Sequence, residues 1–370
     1  MDMFYHLPKE IMEEILLRLP PKSLVRFKCV CKSWNLLIND PSFINKHLLS
    51  CTTLFLTGKK LLSPENICND KSDNISFLIE EFDIPGSNKY PLLWYFPHSH
   101  CNGIICVCPY DIFEETIILC NPAIKELKVL PKSFFNKDSI NREIGFGYDS
   151  ISCDYKVVRI FTLGGKWRNE VSKAEVFTLG TDSWREIRTD INFRCCLSSR
   201  GRYYKGVYYW WNILSPIDYD DMIVSFDMHE EKFKSIPLPD YDRKKMGFGG
   251  WKSLTIWNES LALFVSRKSP VMSLFLEMWV MVDNLNGSSW IKHLTIEPLE
   301  RVHFPLAFWK KDELFMESPS GEIVTYNLFT KKLRKLPIDH VKFRFTHVDF
   351  YVKSLVSVKG GSKLKSQQQM

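Results

Sequence analysis

Five times between Ile118 and Ile338 the chain repeats one phrase: an aliphatic run, a polar turn, then a second run led by a large hydrophobe. The copies are Ile118–Pro131 (ILCNPAIKELKVLP), Glu175–Ile187 (EVFTLGTDSWREI), Ile223–Pro239 (IVSFDMHEEKFKSIPLP), Met278–Ile296 (MWVMVDNLNGSSWIKHLTI) and Ile323–Ile338 (IVTYNLFTKKLRKLPI). Aligned on Leu127, Trp184, Phe233, Trp290 and Leu333, they step by 57, 49, 57 and 43 residues. Such steps scatter around the roughly 50-residue period of four-stranded propeller blades. A repeated sheet of this kind hides its faces only against its neighbours, so a ring follows more naturally than an isolated sandwich.

The rest of residues 51–358 speaks the same language. Short runs such as Thr53–Leu56, Ile104–Val107, Val157–Phe161, Val207–Trp211 and Leu261–Val265 are rich in β-branched and aromatic residues and bounded by Gly, Pro, Asn, Asp or Ser. Asn286-Gly287 is a hairpin signal. At that period the region holds about six blades. A late strand, Val348–Val352 or Leu355–Val358, is placed to close the ring on the first blade. The expected architecture is a small α module of three helices followed by a large all-β, β-propeller-like domain of about six blades.

The α module is Leu7–Phe43. Pro8 sits at a first-turn position, where its missing N–H costs nothing. Ile11, Ile15, Leu16 and Leu19 form an apolar stripe against Lys9, Glu10, Glu13, Glu14 and Arg18, and Pro20-Pro21 stops the helix. A second helix carries Leu24, Val25, Phe27 and Val30. A third carries Trp34, Leu37 and Ile38 and is expected to end near Asn39-Asp40-Pro41. A unit below about 40 residues rarely holds itself together. This one shows more apolar surface than three short helices can hide, so some must bury against something else.

Charge excludes other classes of partner. The net charge is +6, but residues 51–341 carry 36 Lys and Arg against 37 Asp and Glu. A nucleic-acid reader would place its excess on the folded surface. No membrane partner is expected either: Met272–Val282 is interrupted by Glu277 and falls far short of the roughly 20 residues of a spanning helix. The N-terminus lacks the pattern of a secretory signal. Eleven irregularly spaced cysteines suit reduced, packed thiols, so the expected compartment is the cytoplasm, with the nucleus as a second one. The sequons at Asn74, Asn258 and Asn286 are then expected to stay unmodified. Residues 359–370 are polar and read as a frayed tail.

No catalytic or cofactor site stands out. His98, His100, Cys101, Cys106 and Cys108 match no standard zinc spacing and read as part of a strand with buried cysteines. Cys29 and Cys31 diverge on a helix, and Cys195-Cys196 lacks a nearby histidine. Gly145-x-Gly147 and Gly247-x-Gly249-Gly250 read as turn or bulge glycines, not a phosphate cradle. The eleven tryptophans are expected to fill wedges between blades. Three acidic clusters remain in loops: Glu80, Glu81 and Asp83; Asp111, Glu114 and Glu115; Asp218, Asp220 and Asp221. Solvated loop charge is the ordinary reading; a rim that attracts a basic protein is the functional one.

Two resemblances sharpen these expectations. Leu7-Pro8, Ile11, Ile15-Leu16, Arg18-Leu19-Pro20, Lys22-Ser23-Leu24, Arg26, Val30-Cys31-Lys32, Trp34, Leu37-Ile38 and Pro41-Phe43 resemble the F-box. F-boxes dock on Skp1, the adaptor that ties substrate receptors to cullin-based ubiquitin ligases. The resemblance implies a Skp1-binding face made of Leu7, Pro8, Ile11, Ile15, Leu16, Leu19, Pro20, Leu24, Val25, Val30, Cys31, Trp34, Leu37 and Ile38. Through Skp1 it implies cullin 1 and the RING subunit as further partners. Within 51–358, Cys101-Asn102-Gly103-Ile104, Asn121-Pro122, Gly145-Phe146-Gly147-Tyr148-Asp149, Asp154-Tyr155-Lys156-Val157-Val158, Ala174-Glu175-Val176, Ser183-Trp184, Phe226-Asp227, Trp279-Val280-Met281, Ser289-Trp290 and Pro305-Leu306 resemble the plant F-box-associated domain. The nearest subgroup looks like the S-locus F-box proteins.

Together they imply an F-box at 1–50, a substrate-recognition propeller at 51–358 and a tail at 359–370. The implied role is the non-catalytic receptor of a Skp1–cullin–F-box (SCF) ligase, without cofactor or metal. The S-locus likeness implies basic S-RNases of pollen self-incompatibility as substrates, held by Asp111, Glu114, Glu115, Asp218, Asp220 and Asp221. A receptor for another regulatory protein is one rival. A propeller enzyme with a helical appendage is the other.

Overall fold

The computed structural model describes residues 8–359, except 51–52, 58–59, 65–76, 82–94, 110–115, 134–138, 164–170, 192–200, 216–219, 241–251, 269–273, 285–286, 298–303, 310–311, 319, 321 and 337–348. Four short helices come first: α1 (Lys9–Leu17), α2 (Pro21–Phe27), α3 (Lys32–Ile38) and α4 (Pro41–Ser50). The fourth corrects the expected three. Asp40-Pro41 looks like a stop, but it opens a helix. The Asp40 carboxylate accepts the Ser42 and Phe43 amides at 2.8 and 3.3 Å, and Pro41 follows it in the first turn.

All remaining elements are antiparallel strands in six four-stranded sheets. One sheet pairs β1 (Thr53–Thr57), β2 (Lys60–Pro64) and β3 (Phe77–Glu81) with the last strand of the chain. Five blades of consecutive strands follow. They are β4 (Tyr95–Cys101), β5 (Ile104–Pro109), β6 (Ile118–Asn121) and β7 (Glu126–Val129); β8 (Ser139–Asp149), β9 (Asp154–Leu163), β10 (Val171–Thr178) and β11 (Ser183–Ile187); β12 (Arg202–Tyr204), β13 (Val207–Ser215), β14 (Asp220–Asp227) and β15 (Phe233–Ile236). The last two are β16 (Lys252–Trp257), β17 (Ser260–Lys268), β18 (Leu274–Asn284) and β19 (Gly287–Ile296), then β20 (Phe304–Phe308), β21 (Glu313–Glu317), β22 (Ile323–Asn327) and β23 (Leu333–Lys335). β24 (Asp349–Val352) then pairs with β1, Thr53 opposite Val352 and Leu56 opposite Asp349. The late closing strand is where the sequence places it. Only five sheets are blades of consecutive strands, so the expected count of about six is reached only by including this composite of the two ends.

The turns of three of the repeated phrases and the β8–β9 turn share one geometry. Asn121, Asp149, Asp227 and Asn327 each end a strand and fold their side-chain oxygen back onto backbone amides two or three residues ahead. A residue with positive φ then leads into the next strand: Lys125, Cys153, Glu231 and Lys331. Adjacent blades are tied by a longer repeat. The Trp184 indole donates to Pro131 O at 2.7 Å and that of Trp290 to Pro237 O at 2.8 Å, each reaching back to the preceding blade.

The inner strands meet at one arginine. Arg202, 6% exposed on β12, donates Nε to Leu254 O of β16 at 3.1 Å and Nη2 to Leu306 O of β20 at 3.3 Å. Its Nη1 lies 3.6 Å from the Asp349 carboxylate of β24, which is 3.2 Å from His100 Nε2 of β4. Ser99 of β4 donates to Phe146 O of β8 at 3.0 Å. Gly145 and Gly147 are close-approach positions within β8, which corrects their reading as turn or bulge residues. A Cβ there would stand 2.5 Å from the Trp210 ring and 2.4 Å from the Tyr203 ring of the next blade.

Gly103 and Gly206 both turn a hairpin with φ near +80°, but only Gly103 is crowded: a Cβ would meet Ser354 Oγ at 2.4 Å and Val352 O at 2.6 Å, whereas Gly206 faces open space. Gly206→Ala is therefore expected to cost about 1 kcal/mol, from the left-handed backbone alone. Gly103→Ala is expected to cost roughly two to three times as much, because backbone must also move. Urea unfolding of the two variants side by side measures the difference.

Candidate functional site: the outer face of the helices

The helices are apolar on two sides. Leu16, Leu24, Ile38 and Phe43 are at most 1% exposed and form the core of the module, flanked by Met12, Leu17, Leu19, Val25, Phe27, Trp34, Leu37 and Ile44. The same cluster takes in Leu355 and Ile124 from the propeller. Trp34 donates its indole N–H to Met12 Sδ at 2.9 Å, and buried His47 places Nε2 2.9 Å from Leu19 O. Lys46 and Glu13 close α4 onto α1 at 2.8 Å.

Other large apolar side chains of the module, Leu49 of α4 (87% exposed) among them, stand in water. Ile11 and Ile15, one turn apart on α1, are 46% and 50% exposed; Val30 is 61% and Leu36 73% exposed. Burying an isoleucine or leucine fully is worth about 1.5–3 kcal/mol. A row of them left out, on helices with so small a core, is a face that gains by being covered.

The residues expected to form that face divide three ways. Pro8, Ile11, Ile15, Pro20, Val30 and Cys31 are exposed. Leu19, Val25, Trp34 and Leu37 are half-buried. Leu16, Leu24 and Ile38 are interior and hold the helices together, so they offer no surface to a partner. Leu7 lies outside the described residues. Leu36 was missed: three adjacent apolar residues, Leu36-Leu37-Ile38, leave open which one turns outward. The Cys31 thiol, fully exposed at the start of α3, is drawn below its usual range by hydrogen bonding with Ser33 Oγ at 3.1 Å.

The other candidates settle differently. Asp111, Glu114, Glu115 and Asp218 lie outside the described residues, and Asp220 opens β14. Asp221 is interior, 7% exposed and paired with Lys252 of the next blade, whose ammonium lies 4.6 Å from the centre of the Trp211 ring. It is an inter-blade tie, which corrects its expected place on a rim. In a blade of antiparallel strands the first and third turns share one end of the ring and the second connection lies at the other. Ile124 sits in a third turn and belongs to the helical cluster. The ends of β5 and β13 and the starts of β6 and β14 that lead into the second connections of their blades lie at the end away from the helices. Glu80, Glu81 and Asp83 fall on side chains or residues outside the described set.

Cys101 and Cys106 are buried in the core between the first two blades. Burial pushes the Cys101 thiol up to about 12. Among the described residues no group of His, Cys, Asp and Glu is arranged to hold a metal ion. The side chain of His98, Cys195-Cys196 and Gly247–Gly250 lie outside them. Trp184, Trp210 and Trp211 fill inter-blade wedges as expected.

A closed ring of four-stranded sheets carrying a helical module with an uncovered apolar face defines a propeller protein that docks on a partner. Comparison with known families makes this specific. Residues 54–358 match the F-box associated beta propeller domain, and residues 4–46 match the F-box domain. The chain belongs to the F-box-associated β-propeller family. Among its relatives in Arabidopsis thaliana, F-box protein At3g17490 is 26% identical, with 99% of this chain and 98% of the relative aligned. The F-box/kelch-repeat protein At3g23880 is 28% identical over 95% of this chain and 96% of its own. F-box protein At3g16210 is 32% identical over 64% of this chain, and the alignment spans 62% of that relative, under two thirds of its length. The F-box supports Skp1 binding and a substrate-recognition role in an SCF ligase.

Leu24→Ala is expected to cost about 2–5 kcal/mol of the stability of the helical module, the usual range for a cavity in a packed core. Leu36→Ala is expected to change it by no more than about 0.5 kcal/mol. Hydrogen exchange of the α1–α4 amides in the full chain checks both.

Proposed function

We propose that this protein is the substrate receptor of an SCF ubiquitin ligase, with Pro8, Ile11, Ile15, Val30 and Leu36 at the centre of the Skp1 contact and a protein target at the opposite end of the ring. The observation that carries this is the split of the helices into a face buried on the propeller and a face left in water, in a segment that matches the F-box. The receptor does no bond chemistry. It raises the effective concentration of target lysines near a ubiquitin thioester held elsewhere in the ligase.

For the target, a basic secreted ribonuclease of the S-RNase kind is the first candidate, in pollen. Support comes from the sequence alone, which groups Asp111, Glu114 and Glu115 between β5 and β6 and sets Asp218 and Asp220 just before Asp221. Their field would mainly raise on-rate and selectivity. The full-length likeness to an F-box/kelch-repeat protein of Arabidopsis favours a second reading, in which the target is another regulatory protein met in the cytoplasm or nucleus.

Ile11→Asp with Ile15→Asp is expected to lower Skp1 affinity at least a hundredfold while the melting temperature of the propeller holds, since both side chains are exposed. Unchanged Skp1 capture by the double variant overturns the docking face. Replacing Asp111, Glu114, Glu115, Asp218 and Asp220 by Ser, with Asp221 left to its structural pair, is expected to slow association with a basic S-RNase and flatten its salt dependence. An unaltered on-rate at low salt removes the acidic rim from the account.

A further inference from the structure

The stretch that follows β24 joins the ring to the helices. Tyr351 donates its hydroxyl to Gly103 O at 3.0 Å. Asn121 Nδ2, at the end of β6, lies 2.8 Å from Val356 O and 3.1 Å from both Ser354 O and Ser354 Oγ. Glu126 Oε2, at the start of β7, accepts Ser357 Oγ at 2.6 Å and the Val358 amide at 3.0 Å. Between these anchors Leu355, 3% exposed, projects into the cluster of Leu16, Leu24, Ile38 and Phe43, beside Ile124 from the same turn of the first blade.

Residues 353–358 are thus held by side chains of the first blade, with Val358 buried in the core between the first two blades, and reach the helices through Leu355. A mere linker would need none of these contacts: each polar anchor is specific in geometry, and the apolar one completes a foreign core. Skp1 docks on the outer face of the helices and the target is expected at the far end of the ring. The angle between module and ring therefore sets how far the bound target stands from the ligase.

We propose that residues 353–358, with the Asn121–Glu126 turn, form a positioning clamp that fixes the angle of the F-box on the propeller. The proposal rests on the receptor reading for its purpose, but the clamp itself is testable without it. Small-angle X-ray scattering of the full chain, alone and with Skp1, gives the radius of gyration. Wild-type chain is expected to fit one rigid shape in both. Leu355→Asp is expected to enlarge the radius beyond experimental error and to require a spread of module orientations, while Leu355→Met keeps the wild-type value. Ile124→Ser with Glu126→Gln, which changes no residue of the helices and keeps Leu355, is expected to act in the same direction and decides the matter if Leu355→Asp does not fold. Wild-type scattering from folded variants overturns the clamp. Failure of the wild-type chain to bind Skp1 overturns the receptor reading instead, and the scattering of the free chain still decides the clamp.

Discussion

The pairing of β24 with β1 is the constraint on which the rest depends. Without it the ring has two open sheet edges, each a row of unpaired amides and carbonyls. With it, Asp349 reaches the central arginine, Arg202, which also binds carbonyls of β16 and β20. The strand also delivers Leu355 to the core of the helices. Closure of the ring and seating of the F-box are therefore one structural event, produced by the two ends of the chain meeting.

That coupling changes how the helical module is understood. Its apolar surplus has two destinations. One part is covered by the chain itself, through Leu355 and Ile124, so the module is in part a cap on the domain that follows it. The other part, Ile11, Ile15, Val30 and Leu36, remains in water and is what Skp1 would cover. The balance is that of a docking module: enough internal contact to hold its shape, too little to hide its surface.

Much of this was legible in the sequence because the propeller repeats itself. The Asn or Asp at the turn of three of the phrases (Asn121, Asp227 and Asn327) and the αL residue after it are local requirements of one hairpin, so they recur whatever surrounds them. The large hydrophobe that leads the second run of each phrase was also visible, although the reach of the Trp184 and Trp290 indoles to a proline carbonyl of the preceding blade needed coordinates. What could not be read were facts of long-range placement. Asp40-Pro41 is equally good grammar for a stop and for a cap. Asp221 sits in an acidic run, yet the register of β14 against its neighbour turns it onto Lys252. Gly145 and Gly147 look like turn glycines until the rings of the next blade are seen against them. Nothing in Leu355 itself says that it completes a core formed by residues near the other end of the chain.

Hydrogen–deuterium exchange of the full chain, with and without Skp1, tests the central claim most directly. The account predicts that Skp1 slows exchange in Lys9–Leu17 and across 28–38, while the amides of 353–358 exchange slowly whether or not Skp1 is present. Protection centred on the propeller instead of the helices, or rapid exchange of 353–358 in the free chain, would contradict it.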